Sequence, residues 1–302
     1  MARVPEKRNR KKEAKPLKVR HFYEALGLSK QAYYKRIKRD NKRFERYETI
    51  LSIVRKTRKR HPRAGTVKLL EYIRPKLQQL GIELGRDSLN NLLRDHKMLV
   101  RKTRSAHITT NSHHYFHKSP NILKETEITH SEQAVVSDIT YLRTDAGHSY
   151  LALVTDAYSK MIMGWCVDDN MRVELVKNAL KMAHRNMIFS HDSVIHHSDR
   201  GIQYCCPDYS QFAENLKFRL STTQQYDPYE NAVAERINET LKYEYGLNNR
   251  VPNLQILKKL VKEAVYIYNN ERIHWSLNLR TPKEVHRSYN SLKYKSYSKK
   301  KQ

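Results

Sequence analysis

Apolar positions follow two regimes along the chain: a helical spacing before residue 100 and an alternation of period two after residue 130. In the first regime residues 21–26 form a short helical run, Gly27 breaks it, and Ser29 is a good N-cap for a helix over 30–38. Helix, glycine turn, helix is the outline of a helix-turn-helix. A second helical pair follows. Val67, Leu70, Ile73 and Leu77 mark one helix over 66–80, Gly81 ends it, and Asp87 caps a helix over 88–97 carrying Leu89, Leu92 and Leu93. From Ala134 the pattern predicts strands over 134–143, 149–155 and 161–167, then a helix over 173–186 and a short strand over 193–196. A helix over 209–216, a strand over 218–221 and long helices over 231–245 and 254–269 complete the order. Three antiparallel strands followed by alternating helix and strand predict an α/β layered domain.

Charge sharpens the division. The 302 residues carry 58 Lys+Arg against 31 Asp+Glu, a formal charge of +27. Residues 1–130 hold 34 basic and 12 acidic side chains, and residues 131–302 hold 24 and 19. The expected organisation is a disordered basic arm (1–16), a helix-turn-helix-like segment (17–60) and a helical DNA-binding module (61–104). A His-rich linker (105–130), a catalytic core (131–290) and a basic tail (291–302) follow. Such a front makes nucleic acid the leading partner, contacted through phosphates. The cations best placed for it are Lys35, Arg36 and Arg39 on the second helix, Arg94, and Arg101, Lys102 and Arg104 in the connection. The tail is most simply a solvated basic end.

No apolar run approaches the ~18 residues of a membrane span, and no apolar stretch follows the basic N-terminus as a secretory signal requires. Three cysteines without a CxxC pair rule out a disulfide framework and point to a reducing cytoplasm. His113, His114 and His117 hint at zinc, but the missing cysteine pair argues against it. His196, His197, Trp165 and Trp275 read first as packing residues, and Asp156 as a turn cap or a partner of Lys160.

Acids are scarce in the second half, so three of them stand out. Asp138 lies mid-strand among apolar residues, where a carboxylate needs a cation or donors. Asp199 sits where a strand ends and a Gly turn begins, and Glu235 lies within a helix. On that helix Asn231, Glu235, Asn238 and Lys242 share a polar stripe suited to DNA, with Ile237, Leu241 and Tyr245 left for the core. Two strand carboxylates and one helix carboxylate can converge on two Mg²⁺ ions, which ~4 Å apart clamp both oxygens of an in-line phosphoryl displacement. Three carboxylates alone are not specific.

The residues around them are. The chain resembles the transposases of two-reading-frame bacterial insertion sequences, in particular their downstream-frame (OrfB-type) product, within the retroviral-integrase superfamily. The match runs through Ser137-Asp138-Ile139-Thr140-Tyr141, His197-Ser198-Asp199-Arg200-Gly201-Ile202-Gln203-Tyr204, Pro228-Tyr229-Glu230-Asn231-Ala232 and Leu241-Lys242. It continues in Tyr268-Asn269-Asn270-Glu271-Arg272-Ile273-His274, Leu277 and Thr281-Pro282. Thirty-five residues separate Asp199 from Glu235, the spacing of that family's D,D-35-E triad. Tyr226, and Arg63-Ala64-Gly65, depart from the family's pattern.

The resemblance implies a ribonuclease-H-like mixed sheet with flanking helices behind all-α modules. It implies catalytic and metal-binding Asp138, Asp199 and Glu235, with Asp138 bridging two ions. It further implies Mg²⁺ dependence with Mn²⁺ substituting, cleavage at element ends, and strand transfer of the 3′-hydroxyl into target DNA. The expected partners are element-end and target DNA, a second copy of the chain on DNA, and a fused upstream-frame product, in a bacterial, nucleoid-associated setting. A non-catalytic DNA-binding regulator and a plain metal-dependent nuclease are the rival readings.

Overall fold

The computed structural model describes residues 18–100, 119–188, 193–224 and 231–288. The front is helical: α1 (Val19–Ala25), α2 (Lys30–Arg60), α3 (Thr66–Gln79) and α4 (Arg86–Asp95). Ser29 caps α2 as expected, its Oγ accepting from the Ala32 N–H at 3.2 Å. The helix does not stop near residue 38. No Gly or Pro interrupts residues 39–60, so α2 runs 31 residues to Arg60. Its C-terminal part buries Ile50, Leu51 and Val54 against Leu69, Ile73 and Leu77 of α3 and Leu89 and Leu93 of α4. The segments divided at residue 60 in the sequence reading therefore share one core. Gly85, not Asp87, precedes α4, and Asp87 lies in its first turn.

A short helix α5 (Ile122–Glu125) leads into the sheet of β1 (Ala134–Thr144), β2 (Gly147–Asp156) and β3 (Ile162–Asp168). Helix α6 (Val173–Asn186), strand β4 (Val194–Ser198), helices α7 (Ile202–Cys205) and α8 (Pro207–Asn215), and strand β5 (Phe218–Thr222) follow. The strand order is β3-β2-β1-β4-β5, with β1–β2 and β2–β3 antiparallel and β1–β4 and β4–β5 parallel. This mixed five-stranded order with helices on both faces is the ribonuclease-H-like arrangement.

Alternation along each strand feeds two apolar layers. Val135, Ala152, Val154 and Met163 face α6 and α8, meeting Leu175, Val176, Ala179 and Tyr209. Leu142, Leu151, Leu153 and Val167 face the opposite way. There they meet α9 (Ala232–Glu239), the π-helical turn Thr240–Glu244 and α10 (Leu254–Asn270). Gly164 lets α6 seat closely on β3. A Cβ there would lie 2.1 Å from the Ala179 carbonyl oxygen and 2.6 Å from the Ala183 nitrogen.

Two clasps tie the periphery to this core. Asn269 at the end of α10 both accepts from the Ile162 N–H and donates to its carbonyl, each at 2.9 Å. Helix α11 (Pro282–Arg287) starts in a Thr281–Glu284 capping box. It carries His286 between Glu132 and Asp156, all three side chains buried. Asp156 does cap the turn after β2, its carboxylate accepting from the Ser159 N–H and hydroxyl at 2.6 Å each, while the Lys160 ammonium donates to the Ala157 carbonyl and the Lys160 N–H to the Asp156 carbonyl. Among the described residues no helix is long and apolar enough to cross a membrane.

Candidate active site

Strand pairing brings the first two acids together. Ser137 of β1 is registered opposite Ser198 of β4 in the parallel ladder, so the next residues, Asp138 and Asp199, lie side by side at the end of that pairing. Adjacent strands lie about 4.8 Å apart. Asp138 is half-buried, its Oδ1 accepting from the Ile139 N–H at 2.9 Å and its Oδ2 from Asn238 Nδ2 at 2.8 Å. Asp199 Oδ1 accepts from the Gly201 N–H at 3.0 Å, which shapes the turn leaving β4.

Glu235 projects from α9 and is exposed. The helix was expected to run unbroken from 231 to 245. It instead widens into the π turn at Thr240–Glu244, a feature frequent at functional sites. Lys242 of that turn is half-buried.

The carboxylates feel one another. Burial, and then the charge of Asp199, push Asp138 up to about 7, with a smaller push from Glu235, against the opposing bonds from Asn238 and Ile139. Glu235 is raised by burial, by Glu239 and by Asp199. Lys242 is lowered by burial, although the charge of Asp138 favours its protonated form. Carboxylate oxygens are hard donors suited to Mg²⁺, and repulsion among them is relieved by a cation, so the donor set fits such an ion. Among the described residues no three His, Cys, Asp or Glu side chains stand close enough to surround one ion. The three acids form an open, electrostatically linked cluster.

Two residues of the polar stripe move from the DNA side to the protein interior. Asn231 is 5% exposed and donates through Nδ2 to the Ser137 carbonyl at 3.1 Å, and Asn238 is 4% exposed and holds Asp138. The reason is packing: the N-cap and one face of α9 lie against β1, where each amide bonds a group of that strand. They correct the expectation of DNA contact and become supports of Asp138. Lys35, Arg36, Arg39 and Arg94 are exposed on α2 and α4. Arg36 lies 3.8 Å from Asp40, and Arg94 donates to Asn91 at 2.9 Å. Arg101, Lys102, Arg104, His113, His114, His117, Tyr226 and the tail lie outside the described residues.

His196 and His197 are fully buried, as the packing reading expected. His196 Nε2 meets Ser137 Oγ at 2.8 Å and Tyr209 Oη at 3.2 Å, and burial lowers its pKa to about 3, so it stays neutral. His197 Nδ1 meets Ser221 Oγ at 2.9 Å. Trp165 is half-buried in the core, but Trp275 is 59% exposed, against the expectation of packing. It sits on a one-turn 3₁₀ helix, Trp275–Leu277, whose Leu277 is buried in its place.

Two models of the integrase core domain match residues 128–228 and 216–282. An uncharacterized 31 kDa protein of insertion element IS600 from Shigella sonnei is 30% identical over 274 residues, covering 89% of this chain and 98% of that protein. The chain belongs to the insertion-sequence transposases of the retroviral-integrase superfamily. A putative transposase of element IS986/IS6110 from Mycobacterium tuberculosis is 37% identical over 113 residues, 36% of this chain and 41% of that relative. A solved HTLV-2 integrase catalytic core in complex with magnesium aligns at TM-score 0.42 and 16% identity, covering 52% of this chain and 97% of that chain. Members of the family are polynucleotidyl transferases; in this chain Asp138 lies within β1, Asp199 directly follows β4, and Glu235 lies on α9.

Proposed function

We propose that this transposase cuts the phosphodiester at each end of its element and joins the freed 3′-hydroxyl to target DNA, with Asp138, Asp199 and Glu235 holding divalent cations. The observation that carries the reading is the β1–β4 register, which sets Asp138 beside Asp199 where mutual repulsion favours a bound cation. Mg²⁺ suits the all-oxygen donor set, and Mn²⁺ substitutes because it accepts the same ligands. Once bound, such a cation pair activates water and offsets charge on the attacking and leaving oxygens. In the first step a P–O bond forms to water, the bond to the 3′-oxygen breaks, and that oxygen leaves as a hydroxyl. In the second step the hydroxyl attacks a target phosphorus and displaces the target's own 3′-oxygen.

The chain's own residues then have separate roles. Asn238 and the Ile139 N–H fix the Asp138 carboxylate, so that its free lone pairs face the cation. Asn231, through the Ser137 carbonyl, ties α9 to the strand that carries Asp138. Lys242, on the turn beyond Glu235, receives the phosphate of the bound strand. Lys35, Arg36, Arg39 and Arg94 take phosphates further along the duplex. Strand transfer requires two ends held at once, so the working form is an oligomer on DNA, with a fused upstream-frame product as a further partner.

Cutting of labelled element-end DNA in Mg²⁺ or Mn²⁺, measured beside Asp138→Asn, tests the reading. Cutting should vanish in the variant while binding stays equal or tightens, because one carboxylate repelling the phosphates is gone. Retained cutting in Asp138→Asn would remove that residue from the site.

A further inference from the structure

Away from the acids, a cavity of about 250 Å³ opens between the helical front and the catalytic core. The front contributes Arg63 and Lys68; the core contributes Glu244, Arg272 and Trp275. The wall between the two parts is well tied. Arg60 pairs with Glu271, His61 stacks on Tyr72 with ring centroids 4.1 Å apart, and the Tyr72 hydroxyl accepts from the Ile273 N–H at 3.0 Å. The cavity therefore lies beside a hydrogen-bonded and ion-paired contact between front and core.

Its charge is unbalanced. Glu244 is the one carboxylate among the lining residues. It is already engaged by Arg272 through two bonds, Nε to Oε2 at 2.7 Å and Nη2 to Oε1 at 2.6 Å. Lys68 is left half-buried with no hydrogen-bond or ion-pair partner among the described residues, and burial, then Arg272, bring its pKa down to about 8 against the opposing charge of Glu244. An ammonium so placed lacks a direct anionic contact, because the carboxylate of Glu244 is held by Arg272. At the rim stands Trp275, an indole 59% exposed on a turn anchored by buried Leu277. A cationic floor and an aromatic rim are the two elements that hold a nucleotide of a nucleic-acid strand: the phosphate binds the cations and the base stacks on the ring.

We infer that this cavity takes one nucleotide of the bound DNA, its phosphate on Lys68 beside Arg63 and its base against Trp275. The inference rests on the DNA reading above and adds a subsite to it. The position is consistent with one continuous substrate. The helix of Glu235 runs on into the π turn whose last residue, Glu244, lines the cavity. Nine residues at 1.5 Å or somewhat less each put Glu244 on the order of 13 Å along that helix from Glu235. The site would thus register the DNA end relative to the acids, and would do so only when front and core are docked.

The test uses the full chain and labelled element-end DNA, with affinity measured across a salt series. Lys68→Gln should make the log–log salt slope shallower by about 0.9, the loss of one phosphate contact, and Lys68→Arg should restore it. Trp275→Ala, at an exposed position that folding tolerates, should weaken binding about tenfold with the slope unchanged. Thermal unfolding with inorganic phosphate runs alongside. An unchanged slope in Lys68→Gln, together with full affinity in Trp275→Ala, overturns the subsite while the DNA reading stands. Phosphate stabilising the wild type but not Lys68→Gln, with an unchanged DNA slope, overturns it in favour of a free-anion site. Failure of the wild type to bind DNA at all removes both the subsite and the reading beneath it.

Discussion

Raising the pH should loosen the catalytic core through a single histidine. His286 is 2% exposed; its Nε2 lies 2.9 Å from Glu132 Oε1, and its Nδ1 lies 3.0 Å from Ser159 Oγ and 3.7 Å from Asp156 Oδ1. The two carboxylates outweigh the desolvation that opposes them and raise its pKa from 6.5 to about 9. A folded-state pKa above the unfolded one means that folding takes up a proton. The stabilisation is therefore complete below pH 6.5 and disappears as pH rises through 9. At 1.36 kcal/mol per pH unit, the gap between those values corresponds to about 3 kcal/mol. Urea unfolding followed by the fluorescence of Trp165 and Trp275, at intervals from pH 6 to pH 10, reads it directly. The wild type should lose about 3 kcal/mol more across that range than His286→Gln, which removes the titration but keeps a hydrogen-bonding side chain. Parallel pH curves for the two proteins would refute the reasoning and show that α11 is held by packing alone.

Other perturbations follow from named contacts. Gly164→Ala must push α6 off β3, because its Cβ would meet the Ala179 carbonyl at 2.1 Å; a loss of about 1–3 kcal/mol in urea unfolding is expected, and wild-type stability would refute the close approach. Arg272→Met leaves Glu244 without its partner and should destabilise by about 3 kcal/mol. Adding Glu244→Gln should recover much of that loss in the same unfolding assay. Asn238→Ala should lower cutting about 10- to 100-fold, as expected for a residue that positions a metal ligand, with DNA affinity unchanged. A matching fall in affinity would return Asn238 to the DNA surface.

What could be read from the chain depended on how local the cause was. Alternation in residues 134–143 and 149–155 identified β1 and β2, because one strand's pattern of exposure is written in its own residues. The family motifs marked the three acids, and the β1–β4 register accounts for the nearness of two of them. The full length of α2 was missed because its charged middle resembles a helix end, while the decisive fact was the absence of any breaker before Arg60. Asn231 and Asn238 looked solvent-facing because they are polar, yet each is buried with a donor bond to β1, from residues 94 and 100 positions away.

Other features come from long-range pairing. The contact of His286 with Glu132 spans 154 residues, and the Tyr72 bond that docks the helical front spans 201. No local pattern encodes either. Trp275 was misjudged for a related reason: Leu277, two residues on, takes the core position that the indole was expected to fill. The cavity beside Lys68 exists only once front and core are joined.

The central claim is that Asp138, Asp199 and Glu235 act together to join DNA. Its most direct test is the formation of joined product from labelled element ends and a target plasmid in Mg²⁺, by the wild type and by Glu235→Gln. The account predicts metal-dependent joining by the wild type and none by the variant, with both proteins binding the ends. Joining that survives Glu235→Gln, or proceeds without divalent metal, would contradict it.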